Sequence, residues 1–195
     1  MIELFLFVLL LFPIQDDWEL KKNKNGIQVY TRESENTPIK SFKGVALFDA
    51  APERILEVIQ DLANYPQWMD RCEYGEVLEK LSPDDYYIHT KMSMPFPVKN
   101  RDVVQRIIIV RQGGDIVIDI QSTPEYIDEE EDYIRIPFSE GYWRLTPTNS
   151  GSTKVELIST SDPGGSIPDW VVNMMIVSTP YNMLENLQEY VKSEN

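Results

Sequence analysis

Asp162-Pro163-Gly164-Gly165-Ser166-Ile167-Pro168-Asp169-Trp170 separates two kinds of periodicity in the last sixty or so residues of the chain. Before it, residues 153–161 read as a β-strand. After it, apolar side chains fall at Ile167, Trp170, Val171, Met174, Val177, Tyr181, Leu184, Leu187 and Val191, the three-and-four spacing of one helical face. A long helix patterned in this way must lie on an apolar surface. Trp170, Met174, Met175 and Ile176 make its first half wide and deformable, because thioethers adapt to irregular shapes. A strand-rich chain that ends in one such helix predicts a curved sheet with a helical lid, and that arrangement can enclose a cavity.

Working outward, strands are predicted at residues 76–81, 86–94, 101–111, 116–122, 133–138 and 142–146. Ser82-Pro83-Asp84-Asp85, Gly113-Gly114-Asp115 and Asn149-Ser150-Gly151 supply turn chemistry between them. Short turns between consecutive strands predict an antiparallel meander. Upstream, Ala51-Pro52-Glu53 opens a helix with proline early and acid in its first turn, and Ile55, Leu56, Val58, Ile59 and Leu62 form its buried stripe. It stops near Asn64-Tyr65-Pro66, and Trp68 and Met69 continue as a second short helical piece. Residues 27–32 and 39–49 read as strands, and residues 18–22 as a short helical turn. The class is α+β: two strands, two helical pieces, seven strands and a closing helix.

Eighteen basic and thirty-two acidic side chains among 195 residues give a net charge of −14, in a length that fits one domain. That charge repels phosphate backbones, so no nucleic acid partner is expected. The run Asp128-Glu129-Glu130-Glu131-Asp132 lacks the turn glycine and alternate spacing of a calcium loop and reads as a solvated hairpin tip. One cysteine, Cys72, allows no internal disulfide, and with one histidine, His89, no zinc set can be assembled. No metal and no cofactor is expected: the chain has no Gly-rich phosphate loop, nucleophile elbow or metalloprotease signature.

Residues 2–14 hold one charge, Glu3, and are otherwise apolar, too short a run for a spanning helix of roughly 20 residues. They read as the core of an export signal ahead of a domain at residues 16–195, which would make the mature protein periplasmic or secreted. No Lys or Arg precedes the run and no small-x-small cleavage site precedes Gln15, so a retained segment that packs or anchors peripherally, in a cytoplasmic protein, stays open.

Pro95-Phe96-Pro97-Val98-Lys99-Asn100 cannot pair as a strand and offers Phe96 and Val98 either to a surface it covers or to the end of the core. Its continuation, Pro97-Val98-Lys99-Asn100-Arg101-Asp102-Val103-Val104, taken with Asp162-Pro163-Gly164-Gly165 through Asn173 and the order of elements above, resembles the START family, the lipid-transfer domains related to steroidogenic acute regulatory protein. The resemblance covers residues 16–193. It implies a helix-grip fold, a curved antiparallel sheet wrapped around the C-terminal helix, with a hydrophobic tunnel entered past the loop at 95–100 and the start of the last helix. In sterol-binding members a buried acid and arginine meet in the tunnel; the matching positions here hold Thr90 and Ile107. An aromatic cage for a cationic headgroup would have to draw on Trp68, Tyr133, Trp143 and Tyr181.

Strand parity identifies tunnel candidates. In residues 115–121 the acids Asp115 and Asp119 and the glutamine Gln121 alternate with Ile116, Ile118 and Ile120, which point inward. Both faces of residues 101–111 are largely apolar, and there the family equivalence favours Val103, Gln105, Ile107 and Ile109 inward. Met92, Met94, Val155, Leu157, Trp170, Met174 and Tyr181 complete the set, with Phe96, Val98 and Arg101 at the lid and mouth. Gln105, if buried, needs a partner: a headgroup, a water or the protein itself. Arg101 either binds an anionic headgroup or, with Asp102, fixes the loop to its strand. His89 is either an acid-base group or a hydrogen-bonded structural one. The leading expectation is binding of one lipid or other hydrophobic molecule for transport or sensing, with transient membrane contact. The alternative is a polyketide cyclase/aromatase-like enzyme drawing on Tyr87, His89, Gln105 and Arg101.

Overall fold

In the computed structural model, which describes residues 17–34 and 39–193, the alternating segments form β1 (Glu19–Lys24), β2 (Ile27–Arg32), β3 (Ser41–Phe48), β4 (Cys72–Ser82), β5 (Asp85–Met92), β6 (Arg101–Gln112), β7 (Asp115–Ser122), β8 (Ile134–Arg135), β9 (Phe138–Pro147) and β10 (Thr153–Asp162). All join one sheet in the order β1-β2-β3-β10-β9-β7-β6-β5-β4, with β8 set against the start of β6. The pairings are antiparallel apart from β6 with β8. The predicted meander is present, and its last strand, β10, pairs with β3 and so brings the N-terminal strands into the same sheet. Edge strand β4 shifts register three times along β5, a device that spoils an edge for pairing with another chain.

Between β3 and β4 lie α1 (Pro52–Gln60), a 3₁₀ turn (Leu62–Asn64) and α2 (Tyr65–Trp68). α1 buries Ile55, Leu56, Val58 and Ile59, and Tyr65 packs edge-on to Trp68 with ring centroids 4.9 Å apart. The closing helix is α3 (Asp169–Asn173), a wide π-type turn (Met174–Ser178) and α4 (Thr179–Ser193). α4 buries Tyr181, Leu184, Leu187 and Val191 against β2 and β3. Gly44 on β3 permits this approach: a Cβ there would lie 2.6 Å from Leu184 Cδ1. The solid part of the core therefore sits under α4.

Three local expectations are corrected. Residues 18–22 are not a helical turn: β1 starts at Glu19 and pairs with β2 through Asn25-Gly26, whose φ values of 52° and 77° suit a two-residue hairpin turn. Residues 133–138 are not one strand: Ile134 and Arg135 pair parallel to β6, Phe138 already begins β9 opposite Asp162, and Pro137 between them has no N–H to extend the ladder. The acidic run is not a hairpin tip but part of the link from β7 to β8, with Lys91 Nζ 2.7 Å from Glu130 Oε1. The apolar segment at 1–15 lies outside the described residues. Among the described residues no helix is long and apolar enough to cross a membrane.

Candidate functional site: a cavity under the interrupted helix

Beyond the part of the sheet that α4 fills, the concave face stays uncovered by side chains and leaves a predominantly apolar cavity of about 200 Å³. Alternation sets its wall. Ile88, Thr90 and Met92 come from β5, Val103, Gln105 and Ile107 from β6, and Ile118 and Ile120 from β7. Met174 and Met175 of the π turn and Thr179 and Met183 of α4 close it from the helix side. Met94 and Arg101 also border it, as do Tyr65, the first residue of α2, and Met69, Asp70 and Arg71 just after that helix.

Other predicted tunnel residues lie elsewhere. Ile116, Val155, Leu157 and Tyr181 are buried in the core and do not border the cavity, since α4 presses on that end of the same concave face. Parity gives the face of a strand; it does not give the position of the helix. Trp170 is 53 % exposed, while its neighbour Val171 is fully buried. The π turn inserts about one extra residue, a rotation of roughly 100°, so the stripe that continues from α4 enters α3 one position later. Phe96 projects from its loop, 94 % exposed, and Val98 is half-buried; neither borders the cavity.

The polar groups divide between the two faces of the sheet. On the inner face Gln105 finds a protein partner, donating from Nε2 to Ser139 Oγ at 3.1 Å. Arg101 is 1 % exposed, and burial draws its guanidinium down from the usual range. Each of its three nitrogens donates to a backbone carbonyl: Nε to Pro163 at 3.2 Å, Nη2 to Gly164 at 2.9 Å, and Nη1 to Lys99. Thr179 Oγ1 is buried with no partner among the described residues. Asp102 points to the other side, so Arg101 and Asp102 form no pair. There Asp102 Oδ2 accepts from Arg135 Nη2 at 2.8 Å, Arg135 Nε at 3.0 Å and His89 Nε2 at 2.9 Å. Arg135 also donates to the carbonyls of Ile127 and Asp128, which fixes the β7–β8 link across the outer face. His89 thus has a structural place outside the cavity, as does Tyr87, which stacks on Tyr126 at 3.9 Å.

Of the four aromatics available for a cage, only Trp143 borders the cavity. Trp68 is core, Tyr133 lies under Lys91, and the Tyr181 ring is capped by Lys22 Nζ at 3.5 Å. Sequence reading missed Tyr86 and Ile88, which share the parity of Met92, and Ser159 and Ser161, which continue that of Leu157. Those were recoverable by alternation. Asp70 and Arg71 follow a short helix, where no periodicity marks an inward position.

Known proteins match along nearly the whole domain. Residues 13–193 fit the START domain family. An uncharacterised protein of Pseudomonas aeruginosa is 32 % identical over 176 residues, 90 % of this chain and 87 % of that one. The phosphatidylcholine transfer protein of Bos taurus is 30 % identical over 187 residues, 90 % of this chain and 86 % of that one. The crystal structure of a STAR-related lipid transfer protein from Xanthomonas axonopodis superposes with a TM-score of 0.84 at 31 % identity, covering 91 % of this chain and 99 % of that one. With the helix-closed sheet and its cavity, these matches show that the chain belongs to the START domain family.

Proposed function

We propose that the protein takes one lipid or similar hydrophobic molecule into the cavity and carries it between membranes or senses it. The observation that carries this reading is the apolar cavity between the concave face and the interrupted closing helix. Relatives named for lipid transfer, one of them for phosphatidylcholine, support it. Transfer of apolar surface out of water supplies the affinity, at about 25 cal/mol per Å². At about 200 Å³ the cavity is smaller than the roughly 300–1,000 Å³ of ligand pockets. Entry of an acyl chain therefore requires the wall to give way, and the side that bears Met174, Met175 and Met183 is the deformable one.

Membrane contact follows from the exposed Phe96 and Trp170. They sit on two elements that Arg101 ties together, and with a net charge of −14 their apolar insertion, not charge attraction, brings the mouth to a bilayer. Binding without chemistry is favoured over a cyclase because Tyr87 and His89 lie off the cavity, while each Arg101 nitrogen is held by a backbone carbonyl and the Gln105 amide by Ser139.

Native mass spectrometry of protein purified from its own cells tests the reading: a co-purified lipid is expected. A bare chain that also takes up no lipid from vesicles would refute it. The intact mass from the same sample reports whether residues 1–15 are removed, as export to the periplasm or beyond requires.

A further inference from the structure

Two arginines border the cavity, and the fold engages the side chain of one of them. Arg101 is spent on three backbone carbonyls. Arg71, at the mouth just after α2, has a φ of 62°, in the left-handed region. The other positive-φ positions among the described residues are six glycines and Asn25. Asn25 has a local reason, since its Nδ2 donates to Glu185 Oε1 at 2.9 Å and to Tyr181 OH at 3.2 Å. The Arg71 carbonyl accepts from Ser93 N at 2.9 Å, which fixes the turn, but no hydrogen bond or ion pair engages its guanidinium among the described residues. Glycine or asparagine makes such a turn at less cost. A long cation kept in a strained conformation at the opening of an apolar cavity, with no partner in the chain, points to a partner from outside it.

Asp70 borders the mouth beside it, and its carboxylate receives only a long 3.5 Å contact from Asn182 Nδ2. Resting on the lipid-carrier reading above, we propose that Arg71 takes the phosphate of the ligand headgroup, and that Asp70 favours headgroups which balance that phosphate with a positive charge. A guanidinium fork matches phosphate oxygens in geometry and charge. The neighbouring carboxylate repels a headgroup with net negative charge and attracts an ammonium.

The test uses Arg71→Gly, which relieves the backbone, and Asp70→Asn, each offered four probes: phosphatidylcholine, phosphatidylglycerol, diacylglycerol and inorganic phosphate. Arg71→Gly keeps the melting temperature or raises it by about 2–4 °C. It lowers phosphatidylcholine affinity by about tenfold or more, the scale of a charge-assisted contact, and leaves diacylglycerol within about twofold. Asp70→Asn raises phosphatidylglycerol affinity relative to phosphatidylcholine. Equal loss of phosphatidylcholine and diacylglycerol, or no loss of either, overturns the assignment. Arg71-dependent binding of inorganic phosphate as tight as that of phosphatidylcholine makes this a free-phosphate site and overturns the headgroup role. Wild-type protein that takes up none of the three lipids overturns this assignment, and it overturns the carrier reading as well only if the protein also leaves its own cells with no lipid bound.

Discussion

Arg101 Nη2 donates to the carbonyl of Gly164 at 2.9 Å, which ties the first residue of β6 to the link that leads into the closing helix. The link can be approached this closely because Gly164 and Gly165 both have φ of 65°, and a Cβ on Gly164 would lie 3.2 Å from Pro137 Cδ. The same guanidinium holds Lys99 of the neighbouring loop, so one buried cation sets both elements at the cavity mouth.

Replacing Arg101 by Leu or by Lys should therefore loosen the mouth and destabilise the fold. Leu leaves buried carbonyls unpaired, and Lys lacks the fork that reaches three of them. The expected cost is about 3 kcal/mol, a fall in melting temperature of about 6–12 °C. Hydrogen exchange should quicken in residues 163–178 before it does in β10. An unchanged melting temperature would mean that the three carbonyls are solvated in the variant and that the tie is not structural.

The outer-face cluster makes a pH prediction. Burial opposes ionisation of Asp102, but hydrogen bonds from Arg135 and His89 hold its carboxyl below the usual carboxylate range. With the folded value below the unfolded one, near 3.9, its contribution is complete above about pH 4 and is lost as pH falls through the depressed value. Asp102→Asn should cost about 3–5 kcal/mol at pH 7, because Arg135 keeps its charge without a counter-ion. It should also flatten the acid limb of the stability curve. Melting temperatures measured from pH 2 to 7 check both, and superimposable acid limbs would contradict the second.

What the sequence made legible followed from alternation where polar residues marked one face, and from the family resemblance where they did not. Asp115, Asp119 and Gln121 against Ile116, Ile118 and Ile120 showed the inner face of β7, while on β6, apolar on both faces, the family equivalence put Val103, Gln105 and Ile107 inward, where they line the cavity. Where on that face the cavity lies depends on how low α4 sits, which Gly44 and Leu184 decide from opposite ends of the chain; no local pattern reports such a contact. Trp170 was misplaced because an inserted residue in the π turn shifts helical phase without changing composition. The outer-face cluster was illegible for the same reason as the cavity, since Arg135 reaches Asp102 across 33 residues through a link with no periodicity.

If the ligand occupies the cavity, filling it from the wall should exclude the ligand without unfolding the protein. Val103→Phe projects into open space, so its cost should stay below about 1.5 kcal/mol, whereas the same change in packed core costs about 1–3 kcal/mol. The lipid-bound fraction seen by native mass spectrometry should fall. A fraction equal to that of wild type would place the lipid elsewhere.

Phe96 separates docking from binding. At 94 % exposure it contributes almost nothing to folding, so Phe96→Asp should leave stability within about 0.5 kcal/mol and equilibrium lipid affinity unchanged. Inserted into a bilayer, the ring contributes about 1.5–3 kcal/mol, so its loss should slow lipid transfer between vesicles by about tenfold or more. Salt distinguishes this from charge-driven docking. With a net charge of −14, transfer from anionic vesicles should speed up as salt screens repulsion, and transfer from zwitterionic vesicles should be nearly indifferent to it. Transfer that slows with added salt would show that a basic patch, and not the exposed ring, brings the cavity mouth to the membrane.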